Sequence, residues 1–295
     1  DQGTDRISGV ESVLGSGFGD TLSGGGGNDS LAGGGGSDTL LGNDGADDLL
    51  GGDGDDSLDG GQGDDMLVGS LGNDTIDGGA GSDTASGGSG NDHLTASSGG
   101  DRLRGQAGDD VLVSGTGDDR LEGGGDFDLV DFSAANGGIS VDLGVSVRQA
   151  IGADQGDDII KDVEAAIGSD FGDMLEGNNL NNSLSGGLGN DTLAGQDGAD
   201  DLDGGAGSDS LDGGDGDDVL AGAEGNDALL GGAGSDTASG GSGNDLLIAS
   251  SGGDRLRGQG GNDVLIGGAD NDRLEGGDGI DVVDYSGADA ASTSI

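Results

Sequence analysis

Aspartates at a fixed spacing are the residues of this chain best suited to do chemistry. Aspartate recurs every nine residues through two blocks, with asparagine (Asn182) taking one position of the second. Regularly spaced carboxylates, in a chain with no Cys and a single His, supply oxygen ligands for hard divalent cations. The positions are Asp20, Asp29, Asp38, Asp47, Asp56, Asp65, Asp74, Asp83, Asp92, Asp101, Asp110, Asp119 and Asp128, then Asp173, Asp191, Asp200, Asp209, Asp218, Asp227, Asp236, Asp245, Asp254, Asp263, Asp272 and Asp281.

The residues around each aspartate follow a pattern, Gly-Gly-x-Gly-x-Asp-x-Leu-x. The residue two places after the aspartate is apolar, and only Ala85 and Ala238 are small there. A period of nine fits neither a helix of 3.6 residues per turn nor an independent alternating strand. Three glycines in every nine residues would also destabilise a helix strongly. The pattern therefore indicates neither of the two common regular structures.

A coil built from two repeats explains the period. The segment Gly-Gly-x-Gly-x-Asp predicts a turn, in which glycine supplies backbone conformations with positive φ. The segment x-Leu-x predicts a short strand with one side chain pointing inward. Two repeats, 18 residues, would complete one coil, and stacked coils would form two parallel sheets with the leucines between them. We predict an all-β fold, a parallel β-roll (β-solenoid) of nonapeptide repeats in two blocks of about thirteen turns.

Stacking also explains the charge of the chain, which is −51 with 60 Asp and Glu against nine Lys and Arg. In the predicted coil, turns 18 residues apart lie on the same edge, so Asp29 would stack on Asp47. Such carboxylates need neutralisation, and carboxylate and carbonyl oxygens without nitrogen or sulfur suit calcium better than the strictly octahedral magnesium. Each block offers eleven same-edge neighbours, so we predict up to about 22 calcium ions in the stacked turns. Folding and calcium binding would then be one process.

The repeats resemble a known family. The stretches GGGGNDSLA (24–32) and GGDGDDSLD (51–59) are similar to the RTX, or haemolysin-type calcium-binding, repeat. The resemblance covers residues 15–130 and 168–283. It implies a parallel β-roll within a large bacterial protein that leaves the cell by type I secretion.

The resemblance also implies the ligands. In the family the sixth-position aspartate bridges two calcium ions, and turn carbonyls complete each shell. Carried over to this chain, the aspartates named above would be ligands. The carbonyls would come from glycines of well-formed turns: Gly25, Gly27, Gly34, Gly36, Gly52, Gly54, Gly61, Gly63, Gly205, Gly207, Gly214 and Gly216.

Some turns depart from the pattern, and we expect incomplete sites there. GSGFGD (15–20) and GSDFGD (168–173) lack glycine at the fourth place, and Asn182 brings no charge. ASSGGD (96–101 and 249–254) has Ala and Ser where two glycines belong.

Domain organisation follows from a duplication. The stretch GGAGSDTASGGSGND occurs at 78–92 and again, unchanged, at 231–245. We predict a first unit at 1–153 (lead-in 1–14, repeats 15–130, tail 131–153) and a second at 154–295 (lead-in 154–167, repeats 168–283, tail 284–295). Between the repeats, alternation over 139–143 predicts a strand, and 159–167 fits either a helix or a strand.

Composition limits the partners. Nine Lys and Arg against 60 acidic residues argue against nucleic acid, and no apolar run is long enough to span a bilayer. We therefore expect calcium ions, and copies of the chain or neighbouring repeat units, as partners, with no nucleic acid and no membrane insertion by this segment.

Catalysis is not indicated. His93 is the only His, and its counterpart in the second unit is Leu246. A serine nucleophile would lack a second candidate base. With 60 acidic residues, carboxylate pairs resembling a glycosidase site would arise by chance. We expect no enzyme activity.

Three functions compete at this point. Because the chain begins at Asp1 with no leader, we expect it to be a piece of a longer protein. The favoured hypothesis is a structural rod or spacer of a secreted bacterial adhesin, fibre or surface-layer protein, located outside the cell or at its surface. The alternative is an accessory module of a secreted protease, lipase or alginate epimerase, or of a pore-forming toxin. A disordered acidic calcium buffer is the third.

Overall fold

The described part of the chain consists of β-strands and the turns between them. The structure is a computed structural model that describes residues 10–152 and 154–285. Within these residues there is no helix, so none that could cross a membrane. The described strand pairs are all parallel, and most of them join residues 18 positions apart, such as Leu31 with Leu49. The predicted all-β parallel solenoid is confirmed.

The chain divides into two compact units. Unit 1 comprises Asp1–Val130 with Gln155–Val163, and unit 2 comprises Asp131–Asp154 with Glu164–Ile295. Each unit contains two parallel sheets that receive alternate strands of the chain.

In unit 1, one sheet has the order β1-β3-β5-β7-β9-β12-β14-β18, and the other the order β2-β4-β6-β8-β10-β13-β15, with β11 also paired to β8. The strands are β1 (Ser12–Leu14), β2 (Thr21–Ser23), β3 (Ser30–Gly35), β4 (Thr39–Asp44), β5 (Asp48–Asp53), β6 (Ser57–Gln62), β7 (Met66–Leu71), β8 (Thr75–Gly81), β9 (Thr84–Ser89), β10 (His93–Thr95), β11 (Ser98–Gly99), β12 (Arg102–Ala107), β13 (Val111–Val113), β14 (Arg120–Gly125), β15 (Leu129–Asp131) and β18 (Asp157–Lys161).

In unit 2, the orders are β19-β21-β23-β25-β27-β29-β31 and β16-β20-β22-β24-β26-β28-β30-β32. The strands are β16 (Ser140–Asp142), β17 (Gln149–Ala150), β19 (Ala165–Ile167), β20 (Met174–Glu176), β21 (Ser183–Leu188), β22 (Thr192–Asp197), β23 (Asp201–Ala206), β24 (Ser210–Asp215), β25 (Val219–Glu224), β26 (Ala228–Ala233), β27 (Thr237–Ser242), β28 (Leu246–Ser251), β29 (Arg255–Gly260), β30 (Val264–Ile266), β31 (Arg273–Asp278) and β32 (Val282–Asp284).

The core of each unit is the predicted column of apolar side chains. Leu40, Leu67 and Leu202 have no exposed surface, and Ala85 and Ala238 take the same place with smaller side chains. Burial of each leucine contributes about 1.5–3 kcal/mol. One such side chain in nine residues is a thin core, and other interactions must therefore hold the turns.

Many strands are longer than the predicted x-Leu-x. Strand β3 runs for six residues because pairing continues into the glycines, with Gly34 opposite Gly52 and Gly35 opposite Asp53. A glycine with positive φ, such as Gly34 at 111°, bends the chain without breaking the ladder. Three-residue strands, as predicted, occur at β2 and β13.

The segment between the repeat blocks is also β-structure. The predicted strand at 139–143 is present as β16, and residues 159–167, left open between helix and strand, contribute to β18 and β19. The buried side chains of Phe132, Ile139 and Val141 give the start of unit 2 a larger apolar cluster than the repeats have.

The boundaries of the compact units differ from those of the predicted sequence units. Residues 131–154 belong with the second block of repeats, and 155–163 with the first. The duplicated units 1–153 and 154–295 stay a prediction about how the sequence is organised. Most of the first lead-in and of the last tail lies outside the described residues.

Candidate metal centre in the stacked turns

The aspartates of successive coils are joined by a repeated hydrogen bond. The backbone N–H of Asp29 donates to Oδ1 of Asp47 at 2.7 Å, and the N–H of Asp47 donates to Oδ1 of Asp65 at 2.7 Å. The same bond recurs along both edges of each unit. Its acceptors are Asp38, Asp56, Asp74, Asp83, Asp92, Asp101, Asp110, Asp119 and Asp128 in unit 1, and Asp191, Asp200, Asp209, Asp218, Asp227, Asp236, Asp245, Asp254, Asp263, Asp272 and Asp281 in unit 2.

The second carboxylate oxygen of the interior aspartates has no hydrogen-bond partner. These Oδ2 atoms are buried, and a buried carboxylate oxygen without a partner is strongly unfavourable. Buried carboxylate oxygens repeated in this way are suited to bind cations. The residues are Asp38, Asp47, Asp56, Asp65, Asp74, Asp83, Asp92, Asp101, Asp110 and Asp119, and Asp191, Asp200, Asp209, Asp218, Asp227, Asp236, Asp245, Asp254 and Asp263.

Glycine at the first place of the turn makes room for these oxygens. A Cβ added to Gly42 would overlap both Oδ2 of Asp47 and the carbonyl oxygen of Gly60, the equivalent glycine one coil later. The same two kinds of oxygen meet at Gly213, where the partners are Asp218 and Gly231. A carboxylate and a carbonyl oxygen therefore share a space that only glycine leaves open.

The predicted carbonyl ligands at the second and fourth places lie in a related arrangement. A Cβ on Gly52 would overlap the carbonyl oxygen of Gly34, so the carbonyls of successive coils stack along each glycine column. Glycines at these places have positive φ, which L side chains rarely adopt. Of the predicted set this applies to Gly34, Gly36, Gly52, Gly54, Gly61, Gly63, Gly205, Gly207, Gly214 and Gly216, and not to Gly25 and Gly27.

Burial makes the negative charge of these columns costly. It raises the pKa of Asp92 and Asp101 to about 7, and the facing carboxylates of Asp110 and Asp119 add to the effect. In unit 2, burial raises the pKa of Asp227 to about 6. Without a cation, the stacked carboxylates would take up protons near neutral pH.

The first turns of each unit are closed by hydrogen bonds instead. Oδ2 of Asp20 accepts from the N–H of Ser16 at 2.6 Å and from its hydroxyl at 2.9 Å. At the start of unit 2, Ser169 satisfies Asp173 in the same way, with bonds of 2.5 Å from the N–H and 3.1 Å from the hydroxyl to Oδ2. We call these turns, together with those of Asp29 and Asn182, the closed turns. In each of them a local donor occupies a side-chain oxygen of the kind that has no partner in the interior turns.

The turns of Asp29 and Asn182 are also closed by local hydrogen bonds. Oδ2 of Asp29 accepts from the N–H of Gly25 at 2.6 Å, although its sequence fits the pattern well. Oδ1 of Asn182 accepts from the N–H of Asn178 at 2.7 Å, and its Nδ2 donates to the carbonyl of Glu164 at 3.0 Å. The Asn side chain thus makes two local hydrogen bonds, one of which a carboxylate cannot donate.

The two ASSGGD turns are also irregular in sequence, but they are not closed by local hydrogen bonds. Asp101 and Asp254, which follow ASSGGD, keep their place in the hydrogen-bonded columns and have free Oδ2 atoms. Loss of two glycines does not close these turns, because no serine donates to the aspartate.

One residue of the columns does not follow the sequence register. Asp158 stacks on Asp119, whose N–H donates to its Oδ1 at 2.8 Å, and burial raises the pKa of Asp158 to about 7. It follows Asp128 by 30 residues, which is not a multiple of nine. The sequence around it contains a shortened form of the repeat pattern, Gly156-x-Asp158-x-Ile160, which could have identified it.

The glycines at the first place of the turn, such as Gly60, were also missing from the predicted carbonyl ligands.

This donor set fits a hard divalent cation. Carboxylate and carbonyl oxygens converge beside glycine, while no group of three or more His, Cys, Asp or Glu side chains converges among the described residues. Each ion would be held by stacked aspartates and turn carbonyls rather than by a carboxylate cluster. Calcium accepts such irregular oxygen sets.

A comparison with known protein families supports the interpretation of these turns as calcium sites. The family model described as the RTX calcium-binding nonapeptide repeat matches eleven overlapping segments, which together cover residues 6–130 and 167–283. No curated protein sequence matches the chain. With repeats over most of its length, stacked in parallel β-rolls, the chain belongs to the RTX family of calcium-binding repeat proteins.

Proposed function

We propose that this chain is a structural rod or spacer of a secreted bacterial protein, of the adhesin, fibre or surface-layer kind, and that calcium folds it outside the cell. The columns of buried, unpartnered Oδ2 atoms carry the proposal, because they run through the interior of both units. Repeats that occupy most of the chain leave little of it for any other role.

Folding on export follows from the energetics of the turns. Each interior repeat buries one apolar side chain, mostly leucine, while it stacks carboxylates whose pKa burial raises. Calcium supplies the missing charge and the missing bond to Oδ2, so its binding free energy becomes folding free energy. A calcium-poor cytosol would keep the chain unfolded for secretion, and the calcium outside would fold it.

We propose no catalytic role for this chain. His93 is exposed, and the aspartates with raised pKa lie in the columns that we assign to calcium. Calcium would be the main partner, in numbers up to the predicted 22 minus the sites lost at closed turns.

Far-UV circular dichroism during a calcium titration tests the proposal, with magnesium as the control. We expect a cooperative change from coil to β-structure with calcium and none at equal magnesium. A chain that is folded without calcium, or that responds equally to magnesium, would contradict it.

A further inference from the structure

The few cations of this acidic chain are concentrated on sheet faces. Apart from Arg6 and Arg148, all of them stand in two groups. We call the group in unit 1 (Arg102, Arg104, Arg120, Lys161) the first cationic face, and the group in unit 2 (Arg255, Arg257, Arg273) the second. The two faces lie at equivalent positions of the repeats.

The first cationic face carries more positive than negative charge. Its residues lie on the neighbouring strands β12, β14 and β18, with Arg102 opposite Arg120. All four share Glu122, at 3.8 Å from Arg102, 3.7 Å from Arg104, 3.4 Å from Arg120 and 3.4 Å from Lys161. Lys161 also contacts Asp162. Two carboxylates therefore face four cations.

The arginine side chains of the first cationic face remain accessible. Arg102, Arg104 and Arg120 have side chains that are 40%, 43% and 35% exposed. A cavity of about 240 Å³ lies beside Arg104 and Glu122, and one of about 320 Å³ lies beside Arg257 and Glu275. Exposed guanidinium groups that share a single carboxylate favour a further carboxylate ligand.

The other sheet of unit 1 offers carboxylates at a matching spacing. Asp59 on β6 and Asp77 on β8 are register partners, and we call them the carboxylate column. Among the described residues, no cation lies within ion-pair distance of either. The strand positions beside them are the small residues Ser57 and Thr75, so long arginine side chains could reach them.

Coil stacking sets the same repeat distance for both faces. Arg102 and Arg120 are one coil apart, as are Asp59 and Asp77, and adjacent strands lie about 4.8 Å apart. Two arginines of one copy can therefore meet two aspartates of another in register.

We propose that the first cationic face binds the carboxylate column of a second copy of this chain. Charge complementarity selects this partner, because the chain itself is a polyanion with carboxylates at the required spacing. The first cationic face and the column lie on different sheets of unit 1, so the contact is head-to-tail and leaves a face of each kind free. Contacts of this type extend into open assemblies instead of closing as dimers. The proposal rests on the β-roll fold and is independent of the rod function.

Sedimentation velocity of the full 295-residue chain in calcium tests the proposal, over a range of protein and NaCl concentrations. We expect species larger than the monomer that dissociate as NaCl screens the ion pairs. The triple variant Arg102→Gln, Arg104→Gln, Arg120→Gln and the double variant Asp59→Asn, Asp77→Asn should each weaken association about tenfold or more. The double variant Asp48→Asn, Asp53→Asn removes the same charge from the other sheet and should leave association unchanged.

A charge exchange makes the test specific. Each double reversal alone, Arg102→Asp with Arg120→Asp or Asp59→Arg with Asp77→Arg, should abolish association, and one chain that carries all four changes should regain it through the reversed pair. Circular dichroism in calcium confirms that each variant is folded. A wild-type chain that stays monomeric would overturn the proposal, and so would association that none of the variants changes, as calcium bridging would give. Retention of a monomeric chain on an anionic polysaccharide, lost in the triple variant, would also overturn it in favour of a carbohydrate ligand.

Discussion

The closed turns and the interior turns place an aspartate or asparagine at the same position of the repeat and use it differently. At Asp20 and Asp173 a serine hydroxyl and a backbone N–H bind the second carboxylate oxygen. At Asp92 and Asp209 that oxygen is buried with no partner. We therefore expect that an aspartate in register is insufficient for a calcium site, and that the turn must also leave its second oxygen without a local donor.

The comparison also separates two sources of stability. The start of unit 2 combines closed turns with buried apolar side chains, including Phe132, Ile139 and Val141. The interior turns have one buried apolar side chain per repeat, and we expect them to depend on cations for the rest. The start of unit 2 should thus need calcium least.

Calcium removal should produce the largest difference between the two regions. With a chelator, we expect the interior coils at 38–119 and 191–263 to lose most of their protection from hydrogen exchange, because repulsion between carboxylates opens them. Peptides from 132–152 and 164–182 should lose less. Hydrogen-exchange mass spectrometry with and without calcium measures both. Equal loss in all peptides would show that the closed turns have no stability of their own.

Removing the charge of two stacked interior aspartates should have the second-largest effect, on the calcium concentration needed for folding. The double variant Asp92→Asn, Asp110→Asn keeps an oxygen acceptor for the N–H ladder and removes both charges. We expect the calcium concentration at the folding midpoint to rise about tenfold, the scale of a damaged metal site.

The closed turns supply the matched control for that variant. Asp20→Asn with Asp29→Asn removes two charges from turns whose second oxygen already has a hydrogen-bond donor. Asn182 shows that asparagine can close such a turn. The midpoint should change less than about twofold, as is usual away from the metal ligands. Similar shifts in both double variants would remove the distinction between the two kinds of turn.

Acidity should affect the metal-free and calcium-bound chains in opposite directions. Burial raises the pKa of Asp92, Asp101 and Asp158 to about 7 in the folded chain, against about 4 when unfolded. The metal-free fold binds more protons than the unfolded chain between these values, so its stability falls as pH rises from about 4 to about 7. In calcium, protons compete with the ion, and stability falls as pH falls. Far-UV circular dichroism between these pH values should show β-structure that increases with acid in the metal-free chain and decreases with acid in calcium, and changes of equal sign would contradict the cation assignment.

Asn182→Asp should have the smallest effect, confined to one turn. The carboxylate would lose the hydrogen bond that Asn182 donates to the carbonyl of Glu164. We expect a loss of about 1–3 kcal/mol at the lowest calcium concentration that folds the chain, the cost of an unsatisfied buried group, and a smaller loss in saturating calcium. Urea unfolding at both calcium concentrations checks this. Equal losses at the two concentrations would mean that no ion enters the new turn.

The fold was largely predictable because the repeat is nearly invariant. A period of nine with one leucine and one aspartate predicts the coil, the parallel sheets and the 18-residue register that the structure has. The site was predictable to the level of stacked aspartates. Which of those aspartates bind calcium remains a prediction.

What the sequence did not predict has a common physical cause, namely local hydrogen bonds. Nothing in the period reveals that Ser16 closes the turn of Asp20, or that Gly25 closes that of Asp29 in a well-formed repeat. Asp158 was missed because an insertion shifts it out of phase, while pairing of Arg120 with Ile159 restores the stack. The role of the first-place glycines follows from close approach in space, which spacing alone does not show.

A crystal structure grown in calcium, with anomalous scattering to locate the ions, tests the central claim most directly. The account predicts calcium beside the free Oδ2 atoms of the stacked interior aspartates, together with turn carbonyls, and none in the turns that Ser16 and Ser169 close. Interior turns without calcium, or equal occupancy in the closed turns, would contradict it.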